Sequence, residues 1–205
     1  MSLARRRPTV LALVVCLLTL TLAACGGTPG PAPAAPAVPP DHFRVAAERL
    51  PAGWRTSEPS EDGYRTTFCG VDLEPVAPVG SAHYRFARSP VGPFLEQYVR
   101  SYTASTAAEV VGAVQAALPG CRESEAAGDE DSPAVRFSVE PLSLPSDGAS
   151  GPDTVAWRQQ PAGGGVVNDV VLTRRGTTAV LLVAYGLRDE PDPAVLTAAL
   201  AAVPQ

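Results

Sequence analysis

Residues 178–187 leave the fewest architectural options open. Successive side chains of an extended strand point to opposite faces, so Val180, Leu182 and Ala184 share one face and Leu181, Val183 and Tyr185 the other. Both faces are apolar. A strand of that kind belongs inside a sheet that is covered on both sides. Residues 166–174 read as its antiparallel partner across Arg175-Gly176-Thr177, a short hairpin signal, and Gly163-Gly164-Gly165 turns the chain ahead of them.

Further strands are legible at residues 63–69, 82–88, 134–140 and 154–159. In the second, Ala82, Tyr84 and Phe86 alternate with His83, Arg85 and Ala87. Ser89-Pro90-Val91-Gly92-Pro93 is a turn. Residues 94–102 support two readings: Phe94, Leu95, Tyr98, Val99 and Tyr102 fit a helix face, and they fit a strand returning across that turn equally well. We adopt the strand and leave the helix open. Three helices complete the set. Asp41 is placed to cap a short helix through Leu50, with Phe43, Ala46, Ala47 and Leu50 at helical spacing before Pro51-Ala52-Gly53 stops it. Thr106-Ala107-Ala108-Glu109 matches a reciprocal capping box, followed by Val110, Val111, Val114, Ala117 and Leu118 on one face and Pro119-Gly120 as a stop. Asp192-Pro193 caps a last helix over residues 193–203, with Val195, Leu196, Ala199, Leu200 and Val203 as its apolar stripe. The acidic stretch 123–132 reads as a solvated loop and lacks the ligand and glycine spacing of a calcium loop. This order, joined by hairpins, predicts an α+β fold: a mainly antiparallel sheet packed against helices.

The N-terminus is a sorting signal. Arg5-Arg6-Arg7 is followed by an uncharged apolar run over residues 10–24, which Cys25-Gly26-Gly27 ends abruptly. A membrane-spanning helix needs about 20 apolar residues, so this shorter run reads as a cleavable export segment. Leu22-Ala23-Ala24-Cys25 resembles the bacterial lipobox, in which a diacylglycerol is joined to the cysteine thiol and the chain is cut just before it. Cys25 is therefore the expected lipidation site, and acyl chains such as palmitate the expected anchor, at about 0.8 kcal/mol per buried CH₂. Residues 26–40 are uncharged and rich in Pro, a polyproline II spacer reaching on the order of 45 Å at about 3.1 Å per residue. Residues 1–24 are thus read as signal peptide, 25–40 as lipidated cysteine and linker, and 41–205 as the folded domain. The expected location is the extracytoplasmic face of the cell membrane.

Of four cysteines, Cys16 leaves with the signal and Cys25 is lipidated. Cys69 and Cys121 remain as an even pair in an oxidising compartment. Their wide separation and the lack of a Cys-x-x-Cys spacing argue against redox work. A structural disulfide is the better reading, worth about 4 kcal/mol in the chain-entropy model.

Charge and motif content narrow the chemistry. Without Arg5, Arg6 and Arg7 the chain holds thirteen basic against twenty-one acidic residues, a balance repelled by phosphates. Nucleic acid is a poor partner. Neither a Gly-x-Ser-x-Gly elbow, a Ser-x-x-Lys nor a His-Glu-x-x-His occurs. His42 sits at the linker junction, and His83 alternates outward from Tyr84 and Phe86, so both read as surface residues. Trp54 and Trp157 read as core before they read as a sugar or lipid platform. We expect no catalytic residues, no metal site and no cofactor.

Several segments carry a family likeness: Leu50-Pro51-Ala52-Gly53-Trp54, the capped helix running into Cys121, the meander with Val170-Val171-Leu172-Thr173-Arg174-Arg175-Gly176, and the apolar strand and helix after it. Over residues 41–203 the chain resembles the extracellular sensor domain of actinobacterial Ser/Thr receptor kinases of the PknH type and their stand-alone lipoprotein relatives. The resemblance implies an antiparallel sheet with flanking helices and a cleft for an unidentified ligand. Members of that family typically carry two disulfides, whereas only Cys69 and Cys121 are available here, which leaves a second bridge without cysteines. The favoured function is a non-catalytic, ligand-binding or sensor-like lipoprotein, with a small-molecule or lipid ligand. A chaperone-like envelope protein and an envelope hydrolase, for which His83 would be the natural catalytic partner, are the alternatives.

Overall fold

The computed structural model describes residues 38–59, 64–126, 134–144 and 151–205. Cys25 and most of the residues read as signal and linker lie outside the described residues. Ten strands occur among the described residues: β1 (Arg55–Ser57), β2 (Thr67–Phe68), β3 (Val71–Asp72), β4 (Gly80–Ala87), β5 (Phe94–Ser101), β6 (Glu123–Ala126), β7 (Val135–Pro141), β8 (Thr154–Pro161), β9 (Asn168–Arg175) and β10 (Thr178–Tyr185). Eight of them form one antiparallel sheet in the order β1-β4-β5-β10-β9-β8-β7-β6, and β2 and β3 form a separate small hairpin. With two α-helices, α1 (Thr106–Ala117) and α2 (Pro193–Ala202), the fold is α+β. No helix among the described residues is long and apolar enough to cross a membrane.

The two-faced apolar strand is central. β10 pairs with β5 on one side and β9 on the other. Val180, Leu182 and Ala184 join a core with Val195, Leu196, Ala199 and Leu200 of α2. Ala179 and Leu181 join a second core, with Val110, Val111 and Val114 of α1.

The strand reading of residues 94–102 is the one observed, for Phe94–Ser101 pairs along its whole length with β4 and β10. The helix expected over residues 41–50 does not form. Two 3-10 turns, Pro40–Phe43 and Ala47–Arg49, stand in its place. The fully buried Gln97 explains this: its Oε1 accepts from the Val45 N–H at 2.9 Å and its Nε2 donates to the Phe43 carbonyl at 2.7 Å. A continuous helix would need those two backbone groups for itself. Asp41 therefore caps nothing; its carboxylate accepts from the Tyr84 hydroxyl instead. The reciprocal capping box expected at Thr106–Glu109 does not form. Ser105 is the N-cap of α1, and its hydroxyl donates to the Glu109 carboxylate rather than accepting from a backbone amide. The α2 cap is as read, with Asp192 accepting from the Ala194 N–H.

Two further assignments change. Within the strand expected at residues 63–69 only Thr67–Phe68 is extended, and Gly63 lies outside the described residues. Glu123–Ala126 is an edge strand on β7 rather than a loop, because its backbone pairs even though its side chains are polar; residues 127–132 lie outside the described residues.

Candidate ligand-binding cavity

The face of the sheet under α1 is only partly covered. Register places Leu181, Tyr98, Leu172 and Val155 side by side across four strands, and the α1 core reaches that row. The next rows along the strands are Val183 with Glu96 and Val170, then Tyr185 with Asn168 and Gln159. A cavity of about 450 Å³ opens there. Tyr98, Leu181, Val183, Val170, Trp157 and Phe137 form its floor, and Phe68 and Leu73 close one side.

That side is a wall built by the disulfide. Cys69 and Cys121 are bonded, 52 residues apart in sequence. Cys69 and Gly70 form the two-residue turn between β2 and β3, both with positive φ (50° and 77°). A tight hairpin of this hand suits Asn-Gly or Gly-Gly, and a cysteine in the left-handed region is strained. The bridge to Cys121 and a hydrogen bond from the Cys69 N–H to Ser124 Oγ at 2.9 Å hold it there. The turn in turn presents Phe68 to Trp157, ring centroids 4.1 Å apart. Trp157 is thus core and cavity lining at once, while Trp54 packs on the α2 side.

At the buried end lies one carboxylate, Glu96, whose side chain is 3% exposed. His83 Nε2 is 2.7 Å from its Oε2, the Tyr185 hydroxyl donates to Oε1 at 3.0 Å, and Arg85 Nε is 3.1 Å from Oε1. Arg85 Nε is close enough to ion-pair but is not aligned for a hydrogen bond. The other arms of Arg85 donate to Tyr185 Oη (3.1 Å) and the Glu58 carbonyl (3.4 Å), and its guanidinium lies 4.0 Å from the Phe94 ring centre. Burial, then the charge and hydrogen bond of Glu96, push the Tyr185 phenol well above its ordinary range, against the opposing pull of Arg85. It is protonated at neutral pH.

The remaining polar lining is neutral or at the rim. Gln159 Oε1 accepts from Trp157 Nε1 at 3.2 Å. Asn168, directly opposite Gln159 on β9, has no side-chain partner among the described residues. Exposed Arg65 lies over the Phe137 ring, 5.2 Å from its centre.

His83 does not sit where the sequence reading put it. Alternation does point it away from Tyr84 and Phe86, but that side is the cavity face of the sheet rather than open solvent. His83 is half-buried, stacks on Tyr98 with ring centroids 4.2 Å apart, and bonds to Glu96. Among the described residues no Ser, Thr or Cys hydroxyl or thiol is hydrogen-bonded to it, and no group of three or more His, Cys, Asp or Glu side chains converges as a metal site. His42 is exposed. The sequence reading missed Glu96, whose signal was available: a carboxylate in the middle of an apolar strand is rarely buried without a partner.

No family model matches the chain, and no curated protein matches it. Among solved structures, the extracellular domain of PknH from Mycobacterium tuberculosis matches with a TM-score of 0.49 and 11% identity, over 78% of this chain and 95% of that one. A likeness at that level does not place the chain in that protein's family.

Proposed function

We propose that this chain is a membrane-anchored, extracytoplasmic lipoprotein whose folded domain binds a small ligand without transforming it, as a sensor or receptor does. The observation that carries the binding role is the cavity of about 450 Å³, walled mostly by apolar side chains with a few convergent polar groups. Its size lies within the roughly 300–1,000 Å³ typical of small-molecule sites. The anchor rests on the sequence: basic start, short apolar run, lipobox at Cys25 and uncharged Pro-rich spacer.

Native mass spectrometry of the protein purified from its own host tests the binding role. A retained small molecule is expected in the wild type and is lost on Val183→Trp, which fills the cavity floor. An empty wild-type protein, or a molecule retained equally by the filled variant, refutes the assignment. For the anchor, Cys25→Ser should move the protein out of the membrane fraction, and continued membrane attachment would disprove lipidation there.

A further inference from the structure

We infer that the cavity selects an apolar molecule ending in a hydrogen-bond donor, a hydroxyl or an amine, which it takes against Glu96. The inference rests on the binding role above and specifies the ligand's chemistry. A carboxylate is an acceptor only, with about four lone-pair positions on its two oxygens. Here Tyr185 fills one position on Oε1 and His83 one on Oε2, and Arg85 lies beside Oε1. The donors around Glu96 are therefore already engaged. Tyr185 has committed its only proton to Glu96, and its oxygen accepts from Arg85. What Glu96 and Tyr185 still offer is acceptor capacity in a buried, weakly screening setting. A ligand carboxylate placed there would meet a like charge. A hydroxyl would donate to Glu96 and could accept from the carboxamide of Asn168, which has no side-chain partner among the described residues and lines the same cavity on the strand next to Tyr185. Among the described residues Arg65 is the one cation of the lining, and it lies at the exposed rim over Phe137.

A matched probe series separates these terms: 3-phenylpropanol, 3-phenylpropylamine and 3-phenylpropanoate, titrated calorimetrically at pH 7 into the full chain in lipid nanodiscs, with empty nanodiscs as blank. The alcohol and the amine should bind, and the carboxylate should bind at least about tenfold more weakly, since one like charge in a buried site is enough for that ratio. Glu96→Gln removes the like charge and supplies an amide donor, so the carboxylate should then approach the alcohol to within about threefold. The wild-type ratio stands by itself should that variant fold poorly. Carboxylate binding as tight as the alcohol's overturns the donor rule and leaves the cavity's binding role intact. If Arg65→Gln then abolishes it, the probe sits head-outward, which is the opposite of the orientation inferred. Binding of none of the three overturns the rule as well, and the native mass spectrum decides separately whether the cavity holds a ligand at all.

Discussion

On one side of β10, Val180, Leu182 and Ala184 are sealed beneath α2 and the segment around Phe43 and Val45; on the other, Ala179 and Leu181 are covered while Val183 and Tyr185 stay half-buried at a cavity. Each face of the strand carries one Val, one Leu and one Ala. What differs is the cover. An eight-residue strand runs about 26 Å and a twelve-residue helix such as α1 about 18 Å, so even a helix laid along the strand leaves a remainder. On the α2 side the chain around residues 43–50 fills that remainder with Phe43, Val45 and Leu50. On the α1 side, among the described residues, the small β2–β3 hairpin borders a cavity instead. Apolar burial closes one face; on the other a disulfide holds the wall in place.

The largest consequence concerns that wall. Replacing both Cys69 and Cys121 by Ser should lower unfolding free energy by about 4 kcal/mol through the lost loop constraint, and should abolish ligand retention, because the strained Cys69-Gly70 turn would no longer hold Phe68 against Trp157. Urea unfolding and native mass spectrometry check the two parts. Retention surviving in the reduced-type variant would show that the wall stands without its staple. Adjacent residues of β10 sharpen the same contrast. Leu182→Ala, on the sealed face, should cost about 2–5 kcal/mol, whereas Val183→Ala, over the cavity, should cost under about 1 kcal/mol since little packing is lost there. Equal losses by chemical denaturation would mean that the two faces are packed alike.

The sequence displays this sheet clearly and the cavity hardly at all. Strands β7 to β10, both helices and the disulfide were readable because periodicity, caps and cysteine parity are local or nearly local signals. Whether an apolar side chain becomes core or cavity lining is decided by the length of the element opposite, which no window of sequence contains. Val183 and Leu182 look alike in sequence for that reason. The 41–50 helix was misread for a related reason: Gln97, about fifty residues away, captures the two backbone groups that a helix would use. Edge strand β6 was misread because backbone pairing, not side-chain alternation, makes it a strand.

Gln97 gives the next effect in size. Its carboxamide is the closed face's substitute for a strand partner, and Gln97→Leu keeps the apolar volume while orphaning the Val45 N–H and the Phe43 carbonyl. Leaving such buried groups unpaired costs about 1–3 kcal/mol. Hydrogen exchange should localise the loss, with protection falling at Val45 before it falls in β9 or β10. A global, uniform decrease instead would show that the 39–50 segment unfolds only with the sheet.

The smallest effect lies at the rim of the same face. The Tyr84 phenol is pushed up to about 12, first by burial, then by its hydrogen bond to Asp41 and the charge of that carboxylate, with Arg44 opposing. Its folded value exceeds the unfolded value of about 10. The contribution to stability is therefore fully present below pH 10 and is lost as pH rises through 12. Because the site is largely open to solvent, the amount should stay well under about 1 kcal/mol. Asp41→Asn should bring the Tyr84 titration back toward 10, read from tyrosine ring carbon shifts assigned with Tyr84→Phe. An unmoved titration would mean that burial alone sets the shift and that Asp41 does not fasten this segment to β4.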